Sequence, residues 1–341
     1  MEKIKNNWGY ILSIILLIVF FVYLTFDYNK RRNSLQEFSK NLFYMDTYIN
    51  VKIYSNDSQK SNSALNEIDN LFKEYHQLTD RYNEYEKINN VYTINNNNLD
   101  VETLALDSKL YNLIKFGIDS YNKTNELINI NLGNVIDVWK KYRESGVGIP
   151  TIQELKNSGS INISDIVLLE NNEILNNNPN IDLGALAKGY ALQEAAKHLE
   201  ELGFDKYLIN AGGNVIVGNH YNNDYYKIGI ENPNNSNSIH SIIVGNNIAI
   251  TTSGDYQRYY EYEGKKYHHI INPNTLYPSE YMKSVTVITK DSAIGDMLST
   301  TLFLMSVEEG LEFIKNYSDV EAVWYTLDDK IIKSEGFSNY E

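Results

Sequence analysis

The amino-acid sequence predicts an α+β fold in which helices are mixed with mostly antiparallel strands. Short runs of alternating apolar and polar residues are spread along the chain, and longer runs with apolar residues three and four apart lie between them. The two kinds of segment do not alternate in a regular strand–helix–strand repeat, and the sequence has no internal repeat. A regular alternation would indicate a parallel sheet, so its absence favours the α+β class.

The composition limits the kinds of protein that the chain can be. Its 341 residues suffice for one large domain or two interlocked ones, and its 43% hydrophobic and 22% charged residues are ordinary for a globular protein. A formal net charge of -14 argues against an extended nucleic acid as partner. The absence of cysteine excludes disulfides, thiolate metal sites and cysteine nucleophiles, and it fits a protein that works outside the cytoplasm.

A nearly continuous apolar run without charge extends from Trp8 to Phe26. A membrane-spanning helix needs about 20 such residues, and Trp8, Tyr10 and Tyr23 lie near the ends of the run, as interfacial aromatic residues do. A cleaved signal peptide is the alternative, but the run is long for one and no small-residue cleavage site follows. The predicted N-terminal segments are a flank over 1–7, a transmembrane anchor over 8–26 and a polar linker over 27–40.

The domain predicted over 41–341 opens with alternating apolar and polar residues from Phe43, as in an edge or half-buried strand. Apolar residues at helical spacing follow over 61–78 and 101–124, separated by an asparagine-rich loop. An apolar segment that passes from loop to helix then covers 128–139.

In the second half of the chain, a hairpin is predicted between 166–169 and 173–175, across Asn171-Asn172. An amphipathic helix over 184–202 ends at Gly203, because glycine suits the left-handed position after a helix. The remaining predicted elements are strands at 207–209, 215–217, 225–230, 241–244, 248–251, 257–262, 266–271, 284–289, 322–326 and 330–332, and helices after the capping Asp291 and near 307–317.

One candidate metal pair lies on a predicted helix. Asp296 and Thr300 are four residues apart, so both side chains face the same way. A carboxylate and a hydroxyl are hard oxygen ligands suited to Mg²⁺ or Ca²⁺. A solvated aspartate beside a threonine that bonds its own helix has the same spacing, and the spacing alone favours that interpretation.

Other polar groups could serve a phosphorylated ligand. Lys188 lies in the first turns of the helix that begins near Gly184, where backbone N–H groups attract phosphate; an ordinary surface lysine is the alternative. Gly212-Gly213 follows a strand and would either admit a close ligand or turn the chain. His268 and His269 alternate on a predicted strand, so only one of them can face a site as base or hydrogen-bond donor. No common dinucleotide, Walker, zinc-protease or serine-hydrolase motif is present in the sequence.

The order and identity of these pieces resemble the FAD:protein FMN transferases, the ApbE family. The resemblance covers about residues 43–337. The matching blocks are MDT at 45–47, INLGNVIDVW at 130–139, IDLGALAKGYA at 181–191, NAGGN at 210–214, TSGDYQRYY at 252–260, HHIINPNTLYP at 268–278 and SVTVITKDSAIGDMLSTTLF at 284–303.

The resemblance implies an ApbE-like fold and a role for each candidate residue. Asp296 and Thr300 would hold Mg²⁺, with the backbone carbonyl of Ala185 as a further ligand. Asp296 and His269 would be the catalytic residues, with His269 preferred over His268. The Gly212-Gly213 loop would approach the cofactor. The residues that would line the FAD site are Met45, Leu127, Ile128, Asn129, Asp182, Lys188 and Ile271.

Five positions depart from the usual family pattern, and two of them bear on the expected flavin contacts. Asn129 and Asn214 each stand where the family commonly has Asp, which affects the expected flavin contacts. The other three are Asp46 for a common Gly, Asn272 for a common Asp and Leu276 for a common Gly.

The expected reaction is the Mg²⁺-dependent transfer of FMN from FAD to a Ser or Thr hydroxyl of an extracytoplasmic flavoprotein, with release of AMP. The resemblance also implies a single-pass membrane protein with its catalytic domain outside the cytoplasm, although the basic residues after the apolar run alone favour the opposite orientation. The alternatives are an FAD pyrophosphatase giving FMN and AMP, a non-catalytic membrane-tethered flavin-binding protein and a structural surface domain. The chain has no acceptor motif of its own, so it is not expected to modify itself.

Overall fold

The computed structural model of the protein describes residues 10–23, 35–96 and 101–341. Residues 10–23 form an exposed helix, α1. Within the described ranges, no helix is long and apolar enough to cross a membrane. The predicted anchor over 8–26 is therefore not confirmed, and its two ends lie outside the described residues.

The described chain contains strands and helices in mixed order. Most helices begin at a side chain that accepts a backbone N–H, as at Asp57, Asp107 and Asp291. The strands are β1 Gln36–Tyr44, β2 Thr47–Ser55, β3 Thr103–Ala105, β4 Leu168–Leu169, β5 Glu173–Leu175, β6 Tyr207–Ala211, β7 Asn214–Val217, β8 Tyr226–Asn232, β9 Asn235–Gly245, β10 Ile248–Gly254, β11 Tyr259–Tyr262, β12 Lys265–His268, β13 Met282–Thr289, β14 Glu321–Thr326 and β15 Ile331–Lys333. The helices after α1 are α2 Ser58–Thr79, α3 Val91–Asn95, α4 Ser108–Lys123, α5 Gly133–Ser145, α6 Ile152–Asn157, α7 Ala187–Glu201, α8 Ser292–Phe303 and α9 Val307–Phe313.

The largest sheet has eight strands in the order β1-β2-β6-β7-β10-β13-β14-β15. Three smaller sheets have the orders β3-β5-β4, β8-β9 and β11-β12. Every pairing between these strands of the described chain is antiparallel. The predicted class, α+β with mostly antiparallel strands, is confirmed.

The two faces of the large sheet are covered by different elements. Along β10, Ala249 belongs to the main core, which also contains the inward faces of α2, α7 and α8. Its neighbours Ile248 and Ile250 belong to a second apolar cluster with the β8–β9 hairpin. Because side chains alternate along a strand, residues of odd number on β10 face the helices. The helix-facing side of β7 and β10 forms one wall of the site described below.

Several predicted elements differ from the structure. The linker predicted over 27–40 overlaps β1, which begins at Gln36; the part of it over 27–34 lies outside the described residues. The helix predicted from residue 101 begins only after the cap at Asp107, because the preceding Thr103–Ala105 pairs with β5. That pairing joins segments far apart in sequence and leaves no local signal.

The predicted strand that would carry both histidines is also shorter than expected. β12 ends at His268, so His269 lies beyond it and the alternation argument does not apply to the pair. The predicted end of the helix before Gly203 is confirmed, since α7 ends at Glu201 and Gly203 has φ +84°.

Candidate active site

Asp296 lies buried between α8, α7 and the start of β7, and only 5% of it is exposed. Its Oδ2 accepts a hydrogen bond of 2.8 Å from the Gly189 backbone N–H. Its Oδ1 accepts one of 3.0 Å from Nδ2 of Asn214. Two donors from two other elements therefore fix the orientation of this carboxylate.

The surroundings of Asp296 have opposing effects on its acidity. Burial raises the pKa of the Asp296 carboxyl group, while the charge of Lys188 and the hydrogen bonds from Gly189 and Asn214 lower it. A cation bound at the carboxylate would supply the favourable interaction that burial takes away.

Gly189 is required where α7 approaches α8. A Cβ at this position would lie 2.3 Å from Cβ of Asp296 and 2.4 Å from the carbonyl oxygen of Ser292. Gly189 is the third residue of α7, where a backbone N–H has no acceptor within its own helix, and here it donates to Asp296. Ala185, the predicted carbonyl ligand, is half-buried just before the first turn of α7.

We expect Gly189→Ala to destabilise the protein by about 1–3 kcal/mol, because the added methyl group forces α7 and α8 apart. The same displacement moves Asp296, so the metal-dependent activity expected from the sequence should fall as well. Urea unfolding and activity measured on one preparation test both effects. Lys197→Ala on the exposed side of α7 is the control, and equal stability of the two variants would contradict the expectation.

Thr300 lies one helical turn after Asp296 and is half-buried. Its Oγ1 is 3.1 Å from Oγ of Ser253 on β10, and the same Ser253 oxygen is 2.9 Å from Oγ of Ser299. A hydroxyl that donates its hydrogen to a neighbour keeps its lone pairs for a cation. Ser253 therefore orients Thr300, a role for which the sequence contains no local signal.

The predicted metal ligands are oxygen atoms of the kind that suits Mg²⁺. They comprise one carboxylate, one hydroxyl and one main-chain carbonyl, from Asp296, Thr300 and Ala185. Mg²⁺ is commonly held by one or two carboxylates together with substrate phosphates and waters. The structure, over its described ranges, has no group of three or more His, Cys, Asp or Glu side chains that could hold a metal. A metal here would therefore depend on this mixed set of ligands.

The two adjacent histidines have different environments. Nε2 of His268 lies 2.7 Å from the carbonyl oxygen of Ser279, and Nδ1 accepts a bond of 3.2 Å from the Ile270 N–H. These contacts fix the tautomer with hydrogen on Nε2. His268 is also buried against Phe303, and burial lowers its pKa. Both of its ring nitrogens are occupied by the fold.

His269 is half-buried, and its Nδ1 is buried without a hydrogen-bond partner in the described chain. Burial, followed by the charges of Arg258, His268, Lys188 and Arg143, lowers the pKa of His269 to about 3. The ring is therefore neutral at neutral pH. Of these two histidines, only His269 has a ring nitrogen, Nδ1, without a partner among the described residues, and it lies within the electrostatic influence of Lys188.

Arg143 and Arg258 were not among the predicted site residues. Arg258 lies after β10, where its Nη2 is 3.6 Å from Oδ2 of Asp46, and it remains half-exposed. In a chain with a net charge of -14, these arginines and Lys188 form a local concentration of positive charge around His269. A diphosphate would be attracted to this place.

Met45 and Asp46 form the two-residue turn between β1 and β2, with φ values of +54° and +55°. Such a turn requires a positive φ at both positions. The Met45 N–H donates to Nδ1 of His76 at 3.3 Å, which connects the turn to α2. The ion pair between Asp46 and Arg258 connects it to the cationic group.

The Gly212-Gly213 loop lies against this turn. Both glycines have positive φ, +61° and +97°, and a Cβ at Gly212 would lie 2.0 Å from Oγ1 of Thr47. A cavity of about 550 Å³ opens beside the loop and is lined by both glycines, Tyr48 and Asn210. The predicted close approach of a ligand at Gly213 is sterically possible, since a Cβ there would have no atom of the described chain within 4 Å apart from its chain neighbours.

The predicted flavin segment Leu127–Asn129 runs beside Asp182, because the Asp182 N–H donates to the carbonyl of Ile130 at 2.8 Å. The side chain of Asn129 is already engaged by the protein, donating to the distant carbonyl of Ile161 and accepting from the Asn131 N–H, both at 2.9 Å. The Ile128 side chain belongs to the main core.

Leu127 lines a second cavity, of about 530 Å³, together with Asn272, Tyr281 and Met305. Ile271, next to Asn272, packs with the apolar cluster around Trp139. Of the predicted cofactor-binding residues, Leu127 lines this second cavity, and Gly212 and Gly213 line the first.

Arg81 is a buried residue that was not predicted to take part in the site, and only 7% of its side chain is exposed. Nη1 is 2.9 Å from Oδ2 of Asp182, and Nη2 is 2.9 Å from Oδ2 of Asp137 and 2.7 Å from Oδ1 of Asn180. The other oxygen of Asp182 accepts from the Gly184 N–H at 2.8 Å. Arg81 thus holds the segment that leads to Ala185 and Lys188.

Comparison with known proteins gives consistent results. A model of the ApbE family matches residues 45–324. The chain is 31% identical to the FAD:protein FMN transferase of Klebsiella pneumoniae over 213 residues, which are 60% of this chain and 65% of that protein. It is 28% identical over 274 residues to the FAD:protein FMN transferase of Vibrio cholerae, covering 78% of this chain and 81% of that protein. The crystal structure of the ApbE protein from Thermotoga maritima is similar with a TM-score of 0.79 and 25% identity, over 90% of this chain and 99% of that one.

Proposed function

The chain belongs to the ApbE family, and on this basis we propose that it transfers FMN from FAD to a Ser or Thr hydroxyl of another protein and releases AMP. One observation carries the proposal. The carboxylate of Asp296 is oriented by hydrogen bonds from Gly189 and Asn214. Asp296 lies one helical turn before Thr300 on α8, and its carboxylate contacts the start of α7, which bears Lys188. Oxygen ligands for a cation and a positive charge for phosphate therefore occur together.

In the proposed reaction, the acceptor hydroxyl oxygen forms a bond to the phosphorus of the FMN half of FAD. The bond from that phosphorus to the oxygen of the AMP phosphate breaks, and AMP leaves. Bound Mg²⁺ would stabilise negative charge on the diphosphate. Asp296, Thr300 and the Ala185 carbonyl would hold the cation, and Lys188 would add a second positive charge.

The hydroxyl proton needs an acceptor. His269 has a free, neutral ring nitrogen, and the negative diphosphate would offset the nearby cations that depress its pKa. A carboxylate acting through water is the alternative acceptor. Arg143 and Arg258 would help to attract the diphosphate.

His269→Gln tests the environment of this histidine through the pH dependence of stability. The unfolded chain has a histidine pKa near 6.5, whereas the folded pKa is about 3, so protons bind preferentially to the unfolded state as the pH falls through this interval. We expect the unfolding free energy of the wild-type protein to fall about 1–2 kcal/mol more than that of the variant between pH 7 and pH 5. Urea unfolding at both pH values measures this, with His220→Gln, outside the site, as the control. Parallel losses in wild type and His269→Gln would contradict it.

The activity itself is tested by incubating the protein with FAD, Mg²⁺ and a candidate acceptor and measuring the intact mass of the acceptor. A gain equal to one FMN, dependent on Mg²⁺, is the expected result. Free FMN and AMP with no modified acceptor would instead favour an FAD pyrophosphatase, since the same ligands serve both reactions. FAD binding without turnover under any metal condition would favour a non-catalytic flavin-binding protein.

We propose further that the domain works outside the cytoplasm on flavoprotein acceptors. The absence of cysteine is compatible with this location. Digestion of intact cells by an added protease tests the proposal, and complete protection of the domain until the cells are broken would refute it.

A further inference from the structure

Asn214 occupies a position beside Asp296 where a second carboxylate would strengthen a cation site. It is 1% exposed, and its Nδ2 donates to Oδ1 of Asp296 at 3.0 Å. The amide cannot take the opposite orientation against an ionised carboxylate, because two acceptor oxygens would then face each other. The Asn214 Oδ1 consequently lies on the far side, where it is buried and has no hydrogen-bond partner among the described residues.

A second neutral oxygen lies next to Asn214. Ile250 pairs with Val215, so the next position of the antiparallel register places Thr251 opposite Asn214 on the helix-facing side of the sheet. Oγ1 of Thr251 is also buried and without a partner in the part of the chain that the structure describes. A Cβ atom added to Gly295, the residue before Asp296, would lie 2.8 Å from this Thr251 oxygen.

The charges around the proposed cation position are therefore few. In the proposed ligand set, Asp296 supplies the carboxylate. Thr300 and Ala185 contribute neutral oxygens. The neighbouring Asn214 and Thr251 add no charge. The positive charge of Lys188, which acts on Asp296, also repels a divalent cation at this position. A divalent ion bound here without substrate would be poorly neutralised, whereas the diphosphate of FAD would bring the missing negative charges.

We propose that the divalent cation and FAD bind with strong mutual dependence, and that Asn214 is the positioning residue that sets this dependence. The inference rests on the proposed function and specifies how its two ligands assemble. Asn214 orients the single carboxylate without adding charge, so neither ligand completes the site alone. Coupling of this kind is reciprocal: the factor by which FAD raises the affinity for the cation equals the factor by which the cation raises the affinity for FAD.

The test measures four affinities with the full chain. Mg²⁺ binding with and without FAD is followed by thermal shift or calorimetry, and FAD binding with and without Mg²⁺ by stopped-flow flavin fluorescence within the first turnover. For the wild-type protein we expect the two coupling factors to agree and to exceed about tenfold, within the usual range of about 5–150-fold for coupled sites.

Two substitutions then test the role of Asn214. Asn214→Asp adds a carboxylate and should raise the Mg²⁺ affinity without FAD at least about tenfold, with a smaller coupling factor. Asn214→Ala removes the orienting donor and should weaken Mg²⁺ binding in the presence of FAD by about 10–100-fold, with unchanged FAD binding in the absence of metal. Asn122→Asp on the exposed face of α4 adds the same charge elsewhere and is the control.

Two results would overturn the inference: equal Mg²⁺ affinity of the wild-type protein with and without FAD, or coupling factors that neither variant at position 214 changes. Should Asn214→Asp fail to fold, Asn214→Ala decides the question through its FAD-dependent Mg²⁺ affinity. Failure of the proposed function has a different signature, since the mass assay would then show no modified acceptor, whatever the two coupling factors are.

Discussion

Asp296→Asn should abolish FMN transfer and leave the fold at least as stable as that of the wild-type protein. The substitution removes the one charged oxygen ligand of the proposed cation, so transfer should fall by roughly 10³-fold or more. The shape of the side chain is retained. Asn214 has an unpartnered Oδ1, so its amide can turn to accept from the new side-chain amide.

The stability expectation follows from the acidity of Asp296. Burial raises the pKa of this carboxyl group in the folded protein above its pKa in the unfolded chain. The stability that the protonated group gives to the fold is therefore lost as the pH rises through the pKa of the folded protein. At neutral pH without a cation, the ionised group lowers stability, and Asn relieves this cost. Added Mg²⁺ should raise the melting temperature of the wild-type protein and not that of the variant.

Thermal unfolding with and without Mg²⁺, together with the acceptor mass assay, tests these expectations. Asp291→Asn is the matched control, because Asn also caps a helix well and should preserve both activity and the Mg²⁺ response. Full Mg²⁺-dependent transfer by Asp296→Asn would refute the assignment of the metal site. A strong loss of stability would instead show that the carboxylate is needed for folding.

Arg81→Met should destabilise the protein by about 3 kcal/mol or more. Removing the guanidinium leaves Asp182 and Asp137 without their shared cation and Asn180 without a donor, and breaking a buried ion pair from one side typically costs about 3–5 kcal/mol. Asp137 is partly exposed, which favours the lower end of this range. Arg81→Lys should recover only part of the loss, because an ammonium group cannot reach three acceptors in the planar arrangement of a guanidinium.

Urea unfolding gives the loss of stability, and the concentration of FAD needed for half-maximal activity reports the position of the segment before Ala185. Lys87→Met, in an exposed position six residues further along, is the control and should change the unfolding free energy by less than about 0.5 kcal/mol. A loss below 1 kcal/mol for Arg81→Met would mean that the network contributes little to holding this segment.

The parts of the site that were predictable from sequence depend on short-range patterns. The spacing of Asp296 and Thr300 within one helix, the cap at Asp291 and the end of α7 before Gly203 require only neighbours within a few residues. The order of the seven family blocks also predicted the family, because it is a property of the linear chain.

The contacts that complete the site join residues distant in sequence. Asn214 and Asp296 are 82 residues apart, and Arg81 and Asp182 are 101 apart. Asn214 looked like a lost charge from its sequence alone, and Arg81 like an ordinary residue after a helix. Their roles appear only when the sheet register and the packing of α7 on α8 bring the partners together.

By itself, the sequence determined many of the helices and strands, which family the chain belongs to and which helix bears the carboxylate and hydroxyl, because propensity, capping and periodicity act over a few residues. The tertiary structure alone decided which histidine keeps a free nitrogen, which arginine holds the segment before Ala185 and which amide orients Asp296. These features depend on burial and on hydrogen bonds between distant segments, and both exist only after the chain has packed.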